Sequence, residues 1–155
     1  MLVVSDTSPF TALLTIGQID WLPELFEEVV VPAAVRDELS MAHANLPTWL
    51  QVDLRTCAIP PEVVAANLDP GEAAAIALAL DIRADGLLID ERKGRQVANS
   101  LGLRVTGLLG ILIIAKEEGL IATVEPWVER LQVEAGCWFD ANLIREVLRS
   151  VGELP

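Results

Sequence analysis

Residues 1–10 read MLVVSDTSPF, and how that stretch is read sets the fold. Leu2, Val3 and Val4 form a short apolar run with no polar alternation, as expected of a strand covered on both faces. The run closes on Asp6. Pro9 follows in what would be the first turn of a helix, where its missing N–H costs nothing. A carboxylate at such a junction either caps the helix or is presented for chemistry. Asp6 alone leaves both open, because Thr7 and Ser8 are equally good caps.

The same grammar recurs along the chain. Val29–Val31 is ended by Pro32, a weaker amphipathic candidate lies at 49–54, Leu87–Ile89 stands between Gly86 and Asp90, and 103–105 follows Gly102. Helix-like segments at 8–16, 32–41, from 69 onward, 91–101 and 107–118 separate them, with Gly102 and Gly119 in stop positions. Residues 123–150 read as two further helices carrying Trp127, Trp138 and Phe139. Strands alternating with helices imply βαβ units, hence a mainly parallel α/β sheet of four to five strands with right-handed crossovers. No repeat, low-complexity stretch or linker interrupts the pattern. The expectation is a single domain over 1–155, its C-terminal helices packed on it or forming an interface.

The bulk numbers exclude several classes. With 155 residues, 52% of them hydrophobic, the chain can bury a substantial core and is not a disordered segment. A net charge of −12 argues against a DNA-coating surface. Nucleic acid stays possible as a substrate, since a bound divalent ion inverts the local charge of an acidic cleft. Cys57 and Cys137 lie far apart without a CxxC spacing, so buried free thiols in a reducing compartment are expected. No signal-peptide pattern or bilayer-length apolar run is seen, and the expected setting is cytoplasmic, away from membranes.

In an open α/β sheet, ligands bind beyond the carboxyl ends of the strands. Asp6 and Asp90 both stand at such ends, and Glu38 and Glu72 are the helix-borne candidates. Each has a bland reading: Asp6 and Asp90 as caps, Glu72 as a first-turn acid favoured by the helix dipole, Glu38 as a solvated surface acid. Together they say more. Two unit charges ~4 Å apart repel by about 4 kcal/mol at an effective dielectric near 20. A fold keeps such a cluster when a divalent cation occupies it, and oxygen-only ligation points to Mg²⁺ or Mn²⁺ rather than zinc. His43 has no Cys or second His at ligand spacing and is assigned a surface or packing role. The register stays open at three points, with Asp37 beside Glu38, Glu91 beside Asp90, and Asp69 near Glu72.

Three blocks carry a resemblance: "VVSDTSPFTALLTIGQIDWLPELFEEVVVPAAVRDEL", "LDPGEAAAIALAL" and "LLIDERKGRQVANSLGLRVTGLLGIL". They resemble successive blocks of the PIN-domain ribonuclease family, nearest its toxin–antitoxin (VapC-like) subfamily. The resemblance implies a three-layer α/β/α sandwich and a metal-dependent endoribonuclease holding Mg²⁺ or Mn²⁺ at the strand ends. By position, Asp6 matches the first acid, Glu38 the second, Glu72 the third and Asp90 the fourth. Ser8 matches a small hydroxyl residue two positions after the first acid. Glutamate at 72 departs from the aspartate of many PIN nucleases. The resemblance also implies a homodimer, a small antitoxin partner and RNA as substrate.

To attract RNA, Arg92, Lys93, Arg95 and Arg104 crowd one region, three of them opening a helix whose N-terminal dipole favours phosphate. The bland reading is a solvated helix face. Trp49 is the weak candidate for base stacking, whereas Trp127, Trp138 and Phe139 read as core or interface. A non-catalytic PIN-like module acting through protein binding is the alternative. A flavodoxin-like phosphate site fits less well, because DTSPF lacks the glycine-rich loop such a site needs.

Overall fold

A computed structural model describes all residues, Met1–Pro155. Five parallel strands form one sheet: β1 (Leu2–Ser5), β2 (Glu28–Pro32), β3 (Gln51–Asp53), β4 (Gly86–Leu88) and β5 (Val105–Thr106), in the order β3-β2-β1-β4-β5. Val3 pairs with Val29 on one side of β1, and Val4 with Leu87 on the other. Val3, Val4, Val29–Val31, Leu87 and Leu88 are all buried, which is why these runs show no alternation. The sheet is wholly parallel and flanked by helices, so the expected sandwich stands.

Nine helices connect and cover it: α1 (Thr7–Thr15), α2 (Trp21–Phe26), α3 (Ala33–Ala42), α4 (Pro61–Ala66), α5 (Pro70–Asp81), α6 (Arg92–Ser100), α7 (Leu108–Glu117), α8 (Glu125–Val133) and α9 (Ala141–Ser150). The sequence reading missed α2 and α4. Each is six residues long, too short to show a helical period, and α2 carries Pro23 inside it. The last strand begins at Val105 rather than Leu103, because Leu103 donates its N–H to Ala98 in the helix stop. Cys57 and Cys137 are free as expected but half-buried, not fully buried. No helix is long and apolar enough to cross a membrane.

The sheet order reverses between β1 and β4, with β2 and β3 to one side and β5 to the other. That switch point opens a crevice at the carboxyl ends of the two central strands. Asp6 follows β1 directly and Asp90 lies just beyond β4. The Asp6 N–H donates to the Leu88 carbonyl (2.8 Å), so the two segments run side by side into the crevice.

The C-terminal tail is pinned by one carboxylate. Glu153 accepts from Lys116 Nζ (3.0 Å), the Val124 N–H (2.7 Å) and the Glu125 N–H (3.0 Å). Lys116 Nζ also donates to the Val151 carbonyl (2.7 Å), tying the end of α7 to the end of α9. Burial alone would push the Glu153 carboxyl up, but these donors outweigh it and hold it below the usual range. Its contribution is therefore present above the ordinary carboxylate pKa and lost as pH falls. Glu153→Ala is expected to cost about 2 kcal/mol and to lower the Tm by roughly 4–8 °C. An unchanged thermal melt at pH 7 would refute this.

Candidate active site

Asp6 and Glu72 are the buried acids of the molecule, 3% and 5% exposed. Asp6 occupies the N-cap of α1, but its side chain makes no capping bond, so the bland reading of this residue fails. Glu72 stands in the first turn of α5. Asp69 caps that helix instead, accepting from the Glu72 N–H (2.8 Å). With the cap supplied by Asp69, the Glu72 carboxylate is free to turn inward. Its Oε2 is buried with no hydrogen-bond partner. An orphaned buried oxygen costs free energy unless something fills its place.

Glu38 reaches the same pocket from α3. The Thr7 hydroxyl donates to Glu38 Oε2, and the carboxylate lies against the Cα of Gly71. Asp37 points the other way and pairs with Arg36 Nη2 (3.0 Å), its side chain 68% exposed. Of this pair, Glu38 is the one that faces the pocket.

At the other open pair, the two residues divide. Asp90 Oδ1 accepts from the Leu108 N–H (3.0 Å) at the start of α7. Glu91, at the N-cap of α6, is exposed, and its charge acts on both Asp6 and Glu72. Asp69 acts on both as well. The fold thus gathers Asp6, Glu38 and Glu72 with Asp69 and Glu91, while Asp90 sits at the rim turned toward α7.

The electrostatics follow from burial. Desolvation, with the charges of Asp69, Glu38 and Glu91 added, pushes Asp6 up to about 7 against partial relief from the Thr7 amide. Desolvation and the Asp69 carboxylate, followed by the charges of Asp6 and Glu91, push Glu72 up to about 8. Two carboxyls so disfavoured as anions are what a nearby positive charge would relieve.

Three glycines let the elements close on these acids. A Cβ at Gly71 would lie 2.6 Å from Glu38 Oε1, and one at Gly107 would lie 3.0 Å from Asp90 Oδ1. A Cβ at Gly94 would lie 2.7 Å from Ile89 Cδ1 and would collide with Glu72 Oε2. Gly94→Ala is therefore expected to cost about 1–3 kcal/mol, as overpacking does. It should also displace Glu72, lowering the metal-induced gain in Tm; an alanine variant with the parent's Tm and metal response would contradict this. The sequence reading gave none of these glycines a role at the site. Gly71 adjoins Glu72 and Gly94 follows shortly after Asp90, in PGE and IDERKG, whereas Gly107 in VTG has no acid near it in the sequence.

Of the basic residues, Arg92 and Lys93 are exposed at the start of α6, and Arg95 is half-buried, its guanidinium beside Gly107. Arg104 does not join them. Its carbonyl accepts from the Leu87 N–H at the amino end of β5, away from the acids. Ser8 is exposed next to the half-buried Thr7. Trp49 is occupied elsewhere: its indole N–H donates to Asp20 (2.8 Å) and its ring lies 5.9 Å from Phe10.

Hard oxygen donors, an orphaned Glu72 oxygen and mutual repulsion are the chemistry of a divalent-cation site. As the side chains stand, no three acidic, histidine or cysteine groups converge closely enough to hold one ion. The oxygen donor types fit such an ion.

A family model described as DUF3368, a PIN domain, matches residues 2–153. Among solved structures, the chain is similar to a PilT N-terminus domain protein, SSO1118, from the hyperthermophilic archaeon Sulfolobus solfataricus P2. That similarity has a TM-score of 0.48 and 16% identity, covering 72% of this chain and 90% of the other. No curated protein matches.

Proposed function

From the premise that this chain belongs to the DUF3368 family of PIN domains, which are generally nucleases, we propose that it is a Mg²⁺- or Mn²⁺-dependent endoribonuclease. The observation that carries this reading is the unpartnered Oε2 of Glu72, buried beside Asp6 at the switch point of the sheet. Asp6, Glu38, Glu72 and Asp90 would hold the cation. When bound, the ion supplies an activated water and neutralises charge on the scissile phosphate.

The chain's own residues do the rest. Asp6 is fixed by the strand it ends and by its N–H bond to Leu88, so its carboxylate enters the pocket in one orientation. Asp90 is held by the Leu108 amide. The Thr7 hydroxyl positions Glu38, while Ser8 offers a second hydroxyl at the mouth. Arg92, Lys93 and Arg95 draw the phosphates toward the carboxylates, with the open end of α6 beneath them. Because no protein nucleophile is needed, Glu72 in place of aspartate alters reach without altering the class of reaction.

From the resemblance of its sequence blocks to the VapC-like subfamily, we further propose that the chain acts as the toxin of a toxin–antitoxin pair, as a homodimer with a small antitoxin protein. A second reading, a non-catalytic PIN-like module, draws on the carboxylates' incomplete convergence. The two separate in one assay. The nuclease cuts single-stranded RNA with Mg²⁺ or Mn²⁺, stops with chelator, and stops as Asp90→Asn. Intact RNA after incubation with either ion would leave only the binding module.

A further inference from the structure

We infer that the groove between α7 and α9 carries the RNA strand beside the cleavage point, with one unpaired base stacked on Trp138 and its phosphate held by Arg92 and Arg95. This rests on the nuclease reading above and adds to it the path and the stacking residue.

The groove encloses about 1050 Å³ and opens from Asp90. Leu109 and Ile113 of α7 and Val147 of α9 give it an apolar floor. The Lys116–Val151 bond joins the far ends of the two helices, so their amino ends both lie toward the acids. Trp138 stands three residues before α9 begins and lines the groove together with Asp90 and Arg92. Trp138 is therefore at the site end of the groove.

Its exposure is the unusual feature. Trp138 is 82% exposed, while its neighbour Phe139 is buried. The other three tryptophans are engaged. Trp21 and Trp127 pack edge to face at 4.8 Å, with Arg130 over Trp127, and Trp49 is held by Phe10 and Asp20. A bare indole offers a sequence-tolerant π-face to an unstacked base.

The basic residues are confined to one end. Arg92 and Arg95 line the site end together with Asp90 and Glu91; there Asp90 accepts from the Leu108 N–H (3.0 Å) and Asp140 is taken up as the cap of α9, accepting from the Asn142 N–H (2.7 Å). Glu117 and Glu146 line the groove further along α7 and α9. A ten-residue helix is about 15 Å long, so Glu117 ends the path well away from Asp90. Arg92 and Arg95 are the only basic residues lining the groove, so a phosphate is held beside them and repelled by Glu117 and Glu146 further along, which gives a short footprint on single-stranded RNA.

The test measures anisotropy of a labelled single-stranded RNA on the Asp6→Asn chain, which binds without cutting. Trp138→Ala should weaken binding by about tenfold, and Trp138→Phe should restore most of it. Replacing RNA bases by abasic residues should abolish the difference, and the Tm should not change, because the ring is exposed. Equal affinity of Trp138→Ala and parent, while the parent still cuts RNA, overturns the inference and spares the nuclease reading. A parent chain that neither binds nor cuts single strands with either ion removes the nuclease reading itself. Conversion of a dimer to monomer by Trp138→Ala in sedimentation makes a second copy the occupant and also overturns it.

Discussion

Asp6→Asn cuts single-stranded RNA at least about a hundredfold more slowly than the parent in Mg²⁺ or Mn²⁺, because even outer-shell changes at metal sites cost 10–100-fold. The substitution keeps the shape of the side chain and removes only its charge. Asp6 carries no helix-capping bond and its own N–H bond to Leu88 is backbone, so the strand-to-helix junction survives. The variant should therefore fold and melt no lower than the parent in metal-free buffer. It should also lose the rise in Tm that millimolar Mg²⁺ or Mn²⁺ gives the parent through binding the folded state. Parent-level cleavage by Asp6→Asn would remove this residue from the reaction. An equal metal-induced shift in both chains would remove the ion from these carboxylates.

Without metal, the parent should be markedly less stable at pH 8.5 than at pH 5. Asp6 and Glu72 have folded pKa values near 7 and 8, well above the ordinary carboxylate range. The folded chain thus keeps protons that the unfolded chain has already released. Stability from this source is complete below about pH 4 and is lost as pH rises through 7 to 8. For Asp6 the shift from 3.8 to about 7 corresponds to a ceiling on the order of 4 kcal/mol. Glu72 acts in the same direction. At ~2–4 °C per kcal/mol, the Tm should fall by roughly 10 °C across the interval. Saturating Mg²⁺ should flatten the profile, since the ion replaces the protons as counter-charge. A net charge of −12 gives some general slope of the same sign. The control is therefore the double variant Asp6→Asn/Glu72→Gln. Should it keep the parent's full slope, the buried pair is not the cause.

Much of this molecule is legible in its sequence. The runs at 2–5, 29–31 and 87–89 have no alternation because their residues are covered on both faces, and their alternation with helical segments points to a parallel sheet between helices. Prolines at Pro9, Pro32 and Pro70 and acids at strand ends mark where each strand hands over to a helix. The first and fourth acids could be named for that reason, and the second and third as acids on the intervening helices, their order then matched by the resemblance. Local pattern was too weak at α2 and α4, where six residues hold less than two turns.

What the chain alone could not say is which way each side chain turns. Asp37 and Glu38 differ by one residue and 100° of helix, and only the packing of α3 against α1 and α5 sends Glu38 inward and leaves Asp37 to Arg36. Asp90 and Glu91 divide because the amide of Leu108, 18 residues away, captures the first. Trp49 and Trp138 exchange roles for the same reason. One finds Phe10 and Asp20 across the fold, and the other finds nothing. Periodicity and turn chemistry are local and are written in the order of residues. Burial, repulsion and the orphaned oxygen of Glu72 arise between segments far apart in that order, and exist only once the sheet has brought them together.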